Sequence, residues 1–146
     1  NGQIGGYNQV RRALEARLPD HLYAKRRGAT DSELLFLLIM ARIEERSEPI
    51  PVAVSQVLAE TLAMMQLLGI QDPLRFAAAL ADGEQMHVFR YSSDRRAPTL
   101  YLHQHQSLGL VIASEPLSTD HGSWELLPPG TSMRLTAQGH ASEALA

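Results

Sequence analysis

Cysteine is absent from this 146-residue chain. That excludes a disulfide framework, a thiolate metal cage and a cysteine nucleophile within these residues, and it accords with a cytoplasmic location. Positive charge is not in excess either. The formal net charge is −3, which argues against nucleic-acid binding, because that needs a basic surface. Long hydrophobic runs are missing: the longest, Leu34 to Ala41, falls well short of the roughly 20 residues that span a bilayer. No basic stretch leads into an apolar one, so there is no signal-peptide pattern. No membrane or nucleic-acid partner is expected. The glycine-rich phosphate loops and the G-x-S-x-G nucleophile elbow are also missing. What is present is 45% hydrophobic residues, enough for one domain with a core of its own.

The pattern along the chain gives helices first and strands after. Asn1 to Gly6 is loop chemistry, and Tyr7 to Leu18 carries Val10, Leu14 and Leu18 at helical spacing before Pro19. Lys25 to Arg27 reads as a solvated basic loop. Thr30 and Glu33 have capping-box spacing, and Asp31 and Glu33 add negative charge at the positive end of the next helix. Leu34 to Met40 follows without a polar interruption, so that helix is expected to be buried on most sides. Pro49 and Pro51 separate it from a third helix reaching Gly69. Met64 and Met65 in that helix read as gap-filling core. Pro73 to Leu80 is expected to add a helical turn or two. Met86–Ser92, Thr99–His103, Leu108–Ala113 and Ser132–Thr136 read as strands of an antiparallel meander, with Val111 to Ala113 central. The fold class is α+β, helices against a sheet, and the small, polar residues 138–146 are expected to form a flexible tail.

Few residues carry a chemical signal alone. His103 and His105 share a strand face, but two ligands do not make a zinc site, and His87 and His121 have no partner by spacing. No cofactor or metal is implied. Asn1-Gly2 is a turn signal by itself, and Gly28 to Glu33 a helix start.

Taken together, Asn1-Gly2, Thr30-Asp31-Ser32-Glu33, Ser93-Asp94 and Ile112-Ala113-Ser114-Glu115-Pro116-Leu117 resemble the glutaminase domain of class II, N-terminal-nucleophile glutamine amidotransferases. The likeness is nearest to the small stand-alone members acting on γ-glutamyl compounds. The resemblance implies part of an αββα sandwich, with 1–146 as the C-terminal portion of one such domain. It implies that the Asn1 side-chain amide and the Gly2 N–H donate to an oxyanion, since two donors must converge on one oxygen. It also implies that Asp31 binds the α-ammonium of glutamine or a γ-glutamyl group. The family's nucleophile is a cysteine at the mature N-terminus. Here it would lie upstream of Asn1, and the missing N-terminal segment of the same domain becomes an expected partner. The expected activity is hydrolysis of a γ-glutamyl amide through a cysteine thioester, with a small γ-glutamyl molecule as substrate. A homo-oligomer stays open. The alternatives are a catalytically silent interaction or regulatory module on the same scaffold, and an unrelated α+β binding domain.

Overall fold

The computed structural model describes residues 2–118, 123–136 and 139–145. These form two compact units, one from residues 3–74 and one from Gly2 with residues 75–145. The order is β1 (Gly2–Ile4), α1 (Tyr7–Glu15), α2 (Asp20–Tyr23), α3 (Asp31–Arg46), α4 (Ile50–Leu67), then β2 (Leu74–Ala81), β3 (Met86–Ser92), β4 (Tyr101–His105), β5 (Gly109–Ala113), β6 (Glu125–Leu126), β7 (Thr131–Thr136) and β8 (Gly139–Ala144).

In the helical unit, α1 starts at Gly6, whose φ of +60° is left-handed. A Cβ there would stand 2.8 Å from Ile70 Cγ2, so glycine is required twice over. α1 stops at Glu15, and the expected continuation to Leu18 becomes a turn leading through Pro19 into α2. Helix α3 buries Leu34, Leu35, Leu37, Leu38 and Ile39, as its unbroken apolar run requires, but turns Phe36 outward. It ends at Ser47, held in the left-handed region at φ 52° without being glycine. Helix α4 takes Pro51 in its first turn. By length and composition it could cross a bilayer, yet it packs against α1 and α3. Between α3 and α4, the buried Arg42 guanidinium bonds both oxygens of Glu48, at 2.9 and 3.1 Å, and also reaches Glu60. Burial opposes the charge, but the two carboxylates more than offset it and raise the Arg42 pKa.

The sheet unit departs from a simple meander. One sheet has the order β1-β2-β3-β7-β8, and a second, of three strands, has the order β5-β4-β6. Strand β3 therefore pairs with β7, some forty residues later, instead of with β4. The expected helical turns at Pro73–Leu80 are strand β2, paired antiparallel with β3 from Arg75↔Ser92 to Ala81↔Met86. The alanine-rich LRFAAALA favours a helix locally, and the ladder with β3 overrides it. Val111 to Ala113, expected to be central, lies in β5 at the edge of its sheet. Residues 139–144, expected as part of a flexible tail, form β8 in full register with β7. Val88 and Met133 of the first sheet pack with Leu100, Leu102 and Leu127, so inward residues of the two sheets share one core. Inside it, Arg90 donates to the carbonyls of Pro98 (2.6 Å), Ala97 (3.3 Å) and Leu127. Burial pushes its pKa down.

Candidate functional site

The start of α3 is built by its own sequence. Thr30 is extended, and its hydroxyl accepts from the Glu33 N–H at 3.2 Å, which is half of the expected capping box. The other half is replaced. The Glu33 carboxylate turns to the Arg27 and Gly28 N–H groups, at 2.7 and 2.9 Å, and ties down the basic loop. That frees the neighbouring acid. Asp31 is half-buried. Its Oδ1 accepts from the Ser32 N–H at 2.8 Å and lies 3.4 Å from the Ser32 hydroxyl. Its Oδ2 accepts from the Ile4 N–H at 2.9 Å, a contact spanning 27 residues. The Tyr7 hydroxyl donates to the Thr30 carbonyl at 3.2 Å, and burial raises the Tyr7 pKa. The loop after β1 is equally constrained. The Gly5 N–H donates to the Pro73 carbonyl at 3.0 Å, and a Cβ on Gly5 would fall 2.3 Å from Asp72 Cβ.

Gly2 opens β1 in the sheet unit. A Cβ there would lie 2.4 Å from the Arg75 carbonyl oxygen and 3.1 Å from Phe76 Cα, so the β2 backbone alone demands glycine. Arg75 also pairs with Asp94 through both guanidinium and carboxylate, at 2.7 and 3.4 Å. Asp94 is further held by the Ser92 hydroxyl at 2.5 Å and the Arg96 N–H at 2.9 Å. The Arg75 guanidinium, then these bonds, hold its carboxyl far below the usual range. Ser93-Asp94 is thus part of a lock on the β2–β3 pair. Sequence alone did not single out Arg75, whose only cue was an arginine at the head of what looked like a helix.

No protein-family model matches the chain, and no curated protein matches it in sequence. Solved structures do. A glutamine aminotransferase class-II domain protein from Silicibacter pomeroyi superimposes with a TM-score of 0.88 at 34% identity, covering all of this chain. Glutamine phosphoribosylpyrophosphate amidotransferase from B. subtilis matches at a TM-score of 0.63 and 18% identity, covering 28% of its own chain. The fold is that of a class II glutamine amidotransferase domain. The chain spans 66% of the length of the Silicibacter protein.

Within this amidotransferase fold the three residues singled out from sequence are distributed unevenly. Asn1 lies outside the described residues. Gly2 belongs to the sheet unit and Asp31 to the helical unit, and β1 contains both Gly2 and the residue that Asp31 grips, Ile4. Ser114 and Glu115 follow β5, with Glu115 exposed. Two histidines of β4 make bonds of their own. His103 Nδ1 is 2.9 Å from the Ser123 carbonyl, and its ring stacks on Trp124 with centroids 4.8 Å apart. His105 Nδ1 accepts from the Ser107 and Leu108 N–H groups at 3.1 and 3.2 Å. Among the described residues no three His, Asp or Glu gather as a metal site. His121 lies outside them. His87 is buried, its Nδ1 has no partner among the described residues, and burial lowers its pKa.

Proposed function

We propose that this chain belongs to the class II amidotransferase family. In that reading, it is the substrate-binding part of a cytoplasmic enzyme that hydrolyses a γ-glutamyl amide, glutamine or a γ-glutamyl compound. The nucleophile is a cysteine upstream of Asn1, its own α-amine serving as base. The thiolate attacks the amide carbon. The Asn1 side-chain amide and the Gly2 N–H donate to the oxyanion, and collapse of the intermediate expels ammonia or an amine and leaves a thioester. Water then releases glutamate. Asp31 holds the α-ammonium of the γ-glutamyl group.

The observation that carries this reading is the state of the Asp31 carboxylate. Among the described residues, two donors on Oδ1 and one on Oδ2 leave one acceptor position out of about four on a carboxylate. The group is fixed in direction and still able to receive a charge-assisted bond. Its grip on Ile4 fixes the carboxylate within the helical unit. The alternative of a silent module has its own support, since Gly2 is demanded by packing on Arg75 alone.

Full-length protein incubated with glutamine and with γ-glutamyl amides tests the two. The enzyme reading expects release of ammonia or amine and a γ-glutamyl thioester that hydroxylamine traps as the hydroxamate. It also expects Asn1→Ala to lower kcat by about 10²–10³ with KM little changed. Absence of both turnover and acylated cysteine leaves the silent module.

A further inference from the structure

We propose that the helical unit carries a binding site for a free amino acid with a neutral polar side chain, in the cavity between α1, α3 and α4. The cavity has a volume of about 310 Å³, at the lower end of the ~300–1,000 Å³ usual for small-molecule sites. Its inner wall is Leu14 of α1, Leu38 and Ala41 of α3 and Val57 of α4, all buried. One polar atom interrupts that apolar wall. Thr61 is fully buried and lines the cavity, and its hydroxyl has no hydrogen-bond partner among the described residues. A threonine inside a helix can return its hydroxyl to the carbonyl four residues back. Here that would be Val57, and the bond is not made. A buried hydroxyl without a partner is costly, and native structures rarely keep one with nothing to bond it.

A single water would meet that hydroxyl but fill only about a tenth of the space, at ~30 Å³ per molecule. The rim narrows the chemistry further. It carries both signs of charge, Arg17 and Arg46 against Glu45 and Glu60. Arg17 and Glu60 already pair at 3.0 Å. Glu45 makes no hydrogen bond or ion pair among the described residues, and Arg46 reaches only Glu48, at 3.9 Å. These two neighbours at the end of α3 therefore offer a free carboxylate and a weakly held guanidinium. A zwitterionic head satisfies both, its ammonium on Glu45 and its carboxylate on Arg46. A purely anionic ligand would face Glu45, and a purely cationic one Arg46. At the inner end, Arg42 is the buried charge in the wall, and it is committed to Glu48 and Glu60. A ligand charge beside Thr61 would be buried unpaired, so the tip of the side chain is neutral. The Thr61 hydroxyl can donate to an amide or hydroxyl tip or accept from it. Serine, threonine, asparagine and glutamine make up that class. The cavity shares none of the residues that bond Asp31.

Methyl-resolved NMR of the full-length protein, titrated with L-threonine and L-asparagine, tests this. The expected result is saturable shifts at the methyls of Leu14, Leu38 and Val57 at millimolar ligand or below. Affinity should fall roughly tenfold in Glu45→Gln and in Arg46→Gln, each losing one charge-assisted bond. Both positions are exposed, so these variants keep the fold. Thr61→Val should weaken binding by a similar factor while melting no lower than the parent, because it removes an unpaired buried hydroxyl. Asp31→Asn should leave the cavity shifts unchanged. No shift at the three methyls with either amino acid would overturn the proposal and leave the cavity to water. Equal shifts with 2-aminoethanol, which lacks the carboxylate, would also overturn it. So would shifts that vanish in Asp31→Asn, which would place the amino acid at Asp31. Cavity shifts in a protein without hydrolase activity would uphold the site and defeat the functional reading, and an active enzyme without them would do the reverse.

Discussion

Arg42 in the helical unit and Arg90 in the sheet unit are both less than a tenth exposed, and they keep their charges by different means. Arg42 faces two carboxylates, one of them, Glu60, still 42% exposed. Among the described residues Arg90 meets main-chain carbonyls from two loops and no acid. An ion pair with a wet partner can rehydrate when broken. The Leu127 carbonyl, buried with the Arg90 guanidinium, cannot. The helical unit is thus held by side chains that find each other between helices, and the sheet unit by a cation that fastens loops to a strand. The proposed chemistry resembles the helical case, because Asp31, like Arg42, is a charged side chain bridging segments far apart in sequence.

The sharpest test of that comparison is Asp31→Asn. The asparagine oxygen can keep the Ile4 bond but its amide nitrogen cannot accept from the Ser32 N–H, so stability should fall by about 1–2 kcal/mol, from the helix-end charge and one lost bond. As an ammonium anchor its loss should cost roughly 2–5 kcal/mol in kcat/KM for γ-glutamyl substrates. The loss should shrink for an analogue without the α-amine. Paired melts and kinetics would show Asp31 to be a cap alone if kcat/KM held.

Denaturant unfolding of Arg90→Met and Arg42→Met compares the arginines directly. Arg90→Met should cost about 2–4 kcal/mol, because the buried Leu127 carbonyl loses its donor and two half-buried loop carbonyls lose theirs. Arg42→Met should cost less, about 1–2 kcal/mol, since Glu60 returns to water and the part-exposed Glu48 is left with Arg46 nearby. Equal losses would erase the distinction.

A pH series separates the units again. Burial, reinforced by Arg134 and outweighing the opposing charges of Asp82 and Glu143, lowers the His87 pKa in the folded state. Below about pH 6.5, the usual histidine value, the unfolded chain takes up a proton that the folded one resists. Stability should therefore fall as pH drops from about 7 toward about 5.5. His87→Leu should flatten that slope in thermal melts. The smallest effect belongs to the helical unit: Ser47→Gly relieves a left-handed serine and should add about 0.5–1 kcal/mol.

The readable parts of the sequence were those whose signals are local. Thr30, Asp31 and Glu33 announced α3, and the alternation of MHVFRYS gave β3 its observed bounds. The β2 ladder, the β3–β7 pairing and β8 were hidden because each depends on a partner distant in sequence or on residues with no hydrophobic pattern. Asp31 could be singled out as an acid at a helix start, but its bond to Ile4 could not. Arg75 and Arg90 were not singled out, since an arginine in a helical or strand pattern shows nothing of the carboxylate or carbonyls it will meet.

The close approach of β2 to Gly2 bears on how variation at this position should be read. The Arg75 carbonyl excludes every side chain there, so a lineage that had abandoned catalysis would still retain the glycine. Invariance at position 2 among descendants would record only architecture. Asp31 is the more informative witness, because it is half-buried on a helix start with no backbone pressed against it that would demand an acid for packing alone. Drift at that residue is where loss of function would first leave a trace.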